Sequence, residues 1–160
     1  MSAVVHETIV VERSYPAPRD RVFAAFADGD VKRRWFLDEE IATTETYEND
    51  FRVGGKETSR ARLVRTSPGG SPAGTVIGTD TIYMDIVDDE RIVSAHSMLV
   101  GETRLSTSLT TIRLLPDGGG TRLVFTEQVV FFSERRDMSA LRKLGIGHVL
   151  DKLAIESQRQ

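Results

Sequence analysis

The stretch Thr121–Ser157, TRLVFTEQVVFFSERRDMSALRKLGIGHVLDKLAIES, changes its hydrophobic period partway along. Up to Phe132 the residues alternate, with Leu123, Phe125, Glu127, Val129 and Phe131 on one side, the period of a half-buried strand. From Met138 the spacing becomes helical. Met138, Ile146, Val149, Leu150 and Leu153 form one broad stripe, opposed by Lys143, His148, Asp151 and Lys152. The helix predicted over Met138–Ser157 is the longest in the chain and the only element able to fill the concave face of a sheet. Gly145 and Gly147 inside it each cost about 1 kcal/mol relative to Ala, so a close approach to the sheet or room for a ligand is expected there, with a plain weak point in the helix as the alternative.

Upstream, the character is β. Strands are predicted near Thr44–Glu48, Glu57–Thr66, Thr75–Val87, Arg91–Leu99 and Thr103–Leu115, preceding that at Thr121–Phe132. Val53-Gly54-Gly55, Asp88-Asp89, Gly101-Glu102 and Pro116–Gly120 punctuate them as short turns, so the pairing is antiparallel. Gly54 or Gly55 is expected to need positive φ. Gly118-Gly119-Gly120 behind Asp117 reads as a hairpin turn and not as a phosphate cradle. The Pro/Gly/Ser segment between Thr66 and Thr75 is expected to be a mobile loop. Within Thr103–Leu115 the apolar positions are odd at Leu105 and Leu109 but even at Ile112 and Leu114, which predicts a β-bulge around Thr110-Thr111.

At the front of the chain, His6–Arg13 is rich in β-branched residues and stops at Ser14-Tyr15-Pro16, as a strand ending in a turn would. Val22, Phe23, Phe26 and Ala27 recur at helical spacing behind Pro18, and Val31–Phe36 adds a second short helix that presents Trp35 inward. The order strand, two short helices, six strands, long helix predicts an α+β helix-grip architecture. Its curved antiparallel sheet of about seven strands wraps the last helix, with helices on one face only.

Composition bounds the function. The 160 residues are 39% hydrophobic and 28% charged, ordinary for one globular domain, so residues 1–160 are read as a single domain. Twenty-four acidic and 21 basic residues leave a net charge of −3 with no basic stripe, and no nucleic-acid partner is expected. Zero cysteines exclude disulfides, thiolate metal sites and Cys nucleophiles. No apolar run approaches the ~20 residues needed to span a bilayer, and the first residues lack a signal-peptide layout, so a cytoplasmic location is expected. His6, His96 and His148 are far apart and lack ligand or triad spacing, so neither a metal nor a cofactor is expected.

Several short stretches resemble those of a known family. Val22-Phe23-Ala24-Ala25-Phe26 with Trp35, Phe51-Arg52-Val53-Gly54-Gly55, Asp85–Val93, Gly119–Leu123 and Gly145–Leu153 occur in the order seen in the START-like, birch-pollen-allergen-like (SRPBCC) superfamily. Within it they are similar to the domain of heat-shock-protein-90 ATPase activator homologues. Asp88 stands where that family commonly has Pro, and Ile146 where it commonly has Trp. The resemblance covers almost the whole chain. It implies a cavity between helix and sheet but carries no catalytic motif across, because one scaffold serves carriers, receptors, cyclases and co-chaperones.

Alternation puts Glu127 on the core face, where a lone carboxylate is costly unless paired or wet. In Arg91–Leu99 periodicity leaves either side inward. The resemblance favours Ile92, Ser94, His96 and Met98, with Ser94 and His96 where aromatic residues are usual. Arg142 projects from the apolar stripe of the last helix, to reach a pocket carboxylate or to extend into solvent. The expected ligand-binding set is therefore Phe23, Trp35, Tyr83, Met98, Phe125 and Ile146 as apolar lining, with Ser94, His96, Glu127 and Arg142 as polar members. The leading expectation is a binding or carrier domain for a small apolar or amphipathic molecule. A co-chaperone-like protein-contact module and a cyclase- or hydrolase-type enzyme using His96 and Glu127 are the alternatives, and a homodimer stays open.

Overall fold

The computed structural model describes residues 3–159. Its first element, β1 (Val5–Tyr15), ends where Pro16 can no longer donate to a ladder. Pro18 then opens α1 (Arg19–Ala27), its fixed φ of −67° suiting the start of a helix. Asp28 joins this helix to α2 (Gly29–Phe36). Its backbone N–H donates to Ala24 O at 3.0 Å, while its carboxylate accepts from the N–H groups of Asp30 and Val31 at 3.0 and 3.2 Å. An aspartate cap of this kind contributes about 1 kcal/mol.

Six strands follow: β2 (Ala42–Asn49), β3 (Lys56–Leu63), β4 (Val76–Val87), β5 (Arg91–Val100), β6 (Thr103–Asp117) and β7 (Gly120–Phe131). They form one curved antiparallel sheet with β1, in the order β1-β7-β6-β5-β4-β3-β2. The chain then closes with α3 (Met138–Ser157), and the helix-grip expectation is met. Ile146, Leu150 and Leu153 bury against β1, α1 and α2, and the Tyr15 hydroxyl donates to Leu150 O at 2.9 Å beneath the helix. Among the described residues, no helix is long and apolar enough to cross a membrane.

The turns are built as the glycine pattern requires. Gly54 has φ of +82° and donates its N–H to Tyr83 O at 2.8 Å. Gly55 is constrained by space instead, since a Cβ there would lie 2.0 Å from Asp50 O. Gly118 and Gly119, with φ of +57° and +89°, form the two-residue turn between paired Asp117 and Gly120.

Three expectations change. The bulge is not at Thr110-Thr111, where the β5–β6 and β6–β7 ladders run unbroken. The extra residue is Leu105, between Ser106 opposite Met98 and Arg104 opposite Leu99. Ser106, Ser108, Thr110, Ile112 and Leu114 all face inward, and Leu109 points out at 41% exposure, so the apparent register switch came from an interior that is polar at one end. Gly145 is exposed with nothing within 4 Å of a Cβ added to it, so it makes no room against the sheet. Gly147 does mark a close approach, with Arg13 Nη2 of β1 3.0 Å from such a Cβ. Finally, Thr66–Thr75, expected to be loose, is tethered. Ser67 and Ser71 bond one another at 2.8 and 3.0 Å, and the Arg135 guanidinium donates to Gly69 O.

Candidate functional site

Strand alternation and register bring an unusual set of side chains to the middle of the concave face. Glu57 on β3 lies opposite Thr81 on β4, Thr81 opposite His96 on β5, and His96 opposite Ser108 on β6. One step along, Ser94 faces Thr110 and Thr110 faces Glu127 on β7. A core would ordinarily be apolar here. Instead Glu57, Thr81, Ser106, Ser108, Thr110 and Glu127 are all buried.

Two ion pairs satisfy this interior from opposite sides. Arg142, one turn into α3, reaches down to Glu127 and donates to Glu127 Oε2, to Ser106 Oγ at 2.5 Å and toward Met98 Sδ at 3.4 Å. Its guanidinium stacks 5.1 Å from the Phe131 ring centre, and Ser108 Oγ donates to the same carboxylate oxygen. The space between helix and sheet is thus filled here by a charged side chain. On the other flank, Lys32 of α2 lies 2.7 Å from Glu57, which also accepts from the Tyr47 hydroxyl at 2.6 Å. Burial, reinforced by the Glu57 carboxylate, raises the Tyr47 phenol well above its ordinary range, so it remains a donor. Tyr83, raised for the same reasons, donates to Asn49 Oδ1 at 2.7 Å.

His96 sits between the two pairs. Its Nε2 lies 3.1 Å from Thr110 Oγ1 and 3.5 Å from Glu127 Oε2. Burial lowers its pKa below 6.5 against the opposing pull of Glu127, so the imidazole is neutral near pH 7. Solvent still reaches it, with 19% of its side chain exposed, and Ser94, Met98 and Val100 beside it are likewise half-buried. Helix packing falls mainly on β1, β2, β6 and β7, so β3, β4 and β5 carry little helix cover; of these, Glu57, Thr81 and Tyr83 are buried, whereas Ser94, His96 and Met98 on β5 are only half-buried.

The structure gathers Met98, His96, Glu127 and Arg142 directly, with Ser94 one pair along β5. Phe23 and Tyr83 meet through Phe51, at ring separations of 5.6 and 5.0 Å. Trp35 is 2% exposed, wedged against Phe26 with its indole N–H on Ala25 O at 2.9 Å, which is the position of a packing residue. Phe125 and Ile146 join the apolar core at the other end of the sheet. Sequence reasoning missed Lys32, Glu57 and Tyr47. The signal was there in β3, where Lys56, Thr58, Arg60 and Arg62 take one face and leave Glu57 on the other with Ser59, Ala61 and Leu63.

Elsewhere, His6 is exposed on β1 and His148 Nε2 donates to Asp38 Oδ2 at 2.8 Å, an interaction that holds the Asp38 carboxyl below its usual range. Among the described residues, no group of three or more His, Asp or Glu side chains could hold a metal ion. Two open concavities of about 330 and 320 Å³ lie at the β2–β3 turn and on the outer face of β1 and β7. Their linings, mostly exposed strand and turn residues, hold no converging set of buried polar side chains, so the concave strip is the better candidate.

Comparison with known proteins agrees with this architecture. A protein of Rhizobium leguminosarum described as uncharacterised is 38% identical over 100% of this chain and 99% of its own, with a TM-score of 0.86. A Rhizobium loti protein is 42% identical over 96% of this chain and 99% of its own, with a TM-score of 0.80. A Chromobacterium violaceum protein at 24% identity, covering 96% and 98% of the two chains with a TM-score of 0.72, shares the fold. No curated protein matches the chain. The family described as activator of Hsp90 ATPase homolog 1-like protein matches residues 16–157. With nearly the whole helix-grip domain inside that match, the chain belongs to the activator of Hsp90 ATPase homolog 1-like family.

Proposed function

We propose that residues 1–160 form one cytoplasmic binding or carrier domain for a small amphipathic molecule, whose polar end docks on the His96 strip of the concave face. The observation that supports this is the half-buried run Ser94, His96 and Met98, flanked on both sides by buried ion pairs. Buried pairs are poor devices for stability, since well-packed apolar residues of similar volume are often as good or better. Polar groups retained beside a solvent-reachable strip fit recognition. Arg142 and Met98 set the depth of that strip, and Ile77, Val100 and Phe36 offer apolar surface around it. An acid–base role for His96 and Glu127 has weaker support, because Glu127 is already engaged by Arg142 and Ser108. The co-chaperone-like reading draws only on the family's description.

Titration with prodan, a neutral fluorescent amphiphile, tests the reading. Its emission should shift to the blue, with NMR perturbations centred on Ser94, His96 and Met98, and Ser94→Trp should abolish both. Perturbations confined to the convex face, or none, would overturn it.

A further inference from the structure

The charges of the concave site are matched one to one. Lys32 is paired with Glu57 and Arg142 with Glu127, at side-chain exposures of 11% or less throughout. Each cation is also capped: Arg142 by Ser106 and Met98, Lys32 by the ring of Phe36 4.8 Å away. No net charge is left over to greet an ion. An anion or cation bound at β5 would have to lose its water with no counter-charge free to replace it, which is the costly case for a buried charge.

The hydrogen-bonding pattern is more particular. His96 approaches both Thr110 and Glu127 through Nε2. With the proton on Nε2, the arrangement that the Glu127 carboxylate on that side favours, Nδ1 carries the lone pair. The neighbouring Ser94 hydroxyl can give or take a hydrogen bond. We infer that the ligand of this site is a neutral molecule bearing a hydroxyl group, which donates to His96 Nδ1 and exchanges a hydrogen bond with Ser94, and that charged analogues of the same body are rejected. This inference rests on the binding reading above and adds the chemical class.

Three probes with one aromatic body separate the two ideas: naphthalene-methanol, naphthoate and naphthyl-methylammonium, titrated near neutral pH and followed by NMR at Ser94, His96 and Met98. The alcohol should bind at least about tenfold more tightly than either ion, the ratio expected if a desolvated unpaired charge costs 1.4 kcal/mol or more. Equal or tighter binding of an ion at the same residues overturns the inference and leaves the binding reading standing. Silence of all three at β5 removes both. Glu127→Gln should free Arg142 and turn the preference toward naphthoate; Glu57→Gln, which frees Lys32, makes the same test should the first variant fold poorly. A preference that stays with the alcohol in both folded variants counts against charge matching as its cause.

Discussion

Removing one partner of a buried ion pair and removing both are different perturbations. Glu127→Gln leaves the Arg142 guanidinium in a site where Glu127 is 1% and Arg142 11% exposed, and should cost about 3–5 kcal/mol. Adding Arg142→Met removes the stranded charge while keeping a flexible apolar side chain over Phe131, and should recover most of that loss. Urea denaturation of the single and double variants measures this; additive effects would show that the two residues do not act together. His96 makes a second test. Because folding lowers its pKa below 6.5, the unfolded chain binds more protons between the folded value and 6.5. Stability should therefore be full above 6.5 and fall as pH drops through that window, with Glu127 and Glu57 resisting the loss and Arg142 and Lys32 deepening it. His96→Gln should flatten the corresponding part of a plot of Tm against pH; an unchanged slope would place the titration elsewhere. Glu127 was legible from alternation alone, and Arg142 was legible as a residue reaching either a pocket carboxylate or solvent, of which the fold takes the first. Lys32 was not, since its partner lies 25 residues away on a strand whose pairing only the folded sheet defines.

Elements were easier to read than their irregularities. Among the described residues, all seven strands and three helices were visible as periodicity or composition broken by turn residues, because hydrophobic spacing is a local property. The bulge was misplaced because apolarity served as the mark of the inward face, and β6 turns serine and threonine inward while showing Leu109 to solvent. Glycine roles divide in the same way between local and non-local causes. Gly54→Ala should cost about 1 kcal/mol through its positive φ, and Gly55→Ala more, since the Asp50 carbonyl would have to move. Gly145→Ala should do the reverse and stabilise α3 by up to about 1 kcal/mol, because the position is exposed and helical. Thermal melts decide each; a lowered Tm for Gly145→Ala would contradict its solvent-facing place.

At the scale of the whole molecule, the first strand closes the sheet against the last, with Val5 paired to Phe131. Nothing in a local pattern announces that pairing, and the sequence reading did not assign it; the polar centre of the concave face likewise could be seen only once seven strands were in register. The Arg142–Glu127 contact acquires a meaning there that its energy does not convey. Its partners are 15 residues apart, on the final strand and the final helix. A helix docked one turn out of place could still bury leucines and isoleucine, for apolar surfaces are forgiving of a slip, but it would strand a guanidinium and a carboxylate in the interior. The pair thus works as a proofreading mark, admitting one seating of α3 and rejecting its near neighbours. In the Glu127→Gln, Arg142→Met double variant that mark is erased, and the methyl resonances of Ile146 and Leu150 should split into more than one set. A single sharp set would show that shape alone already chooses the seat.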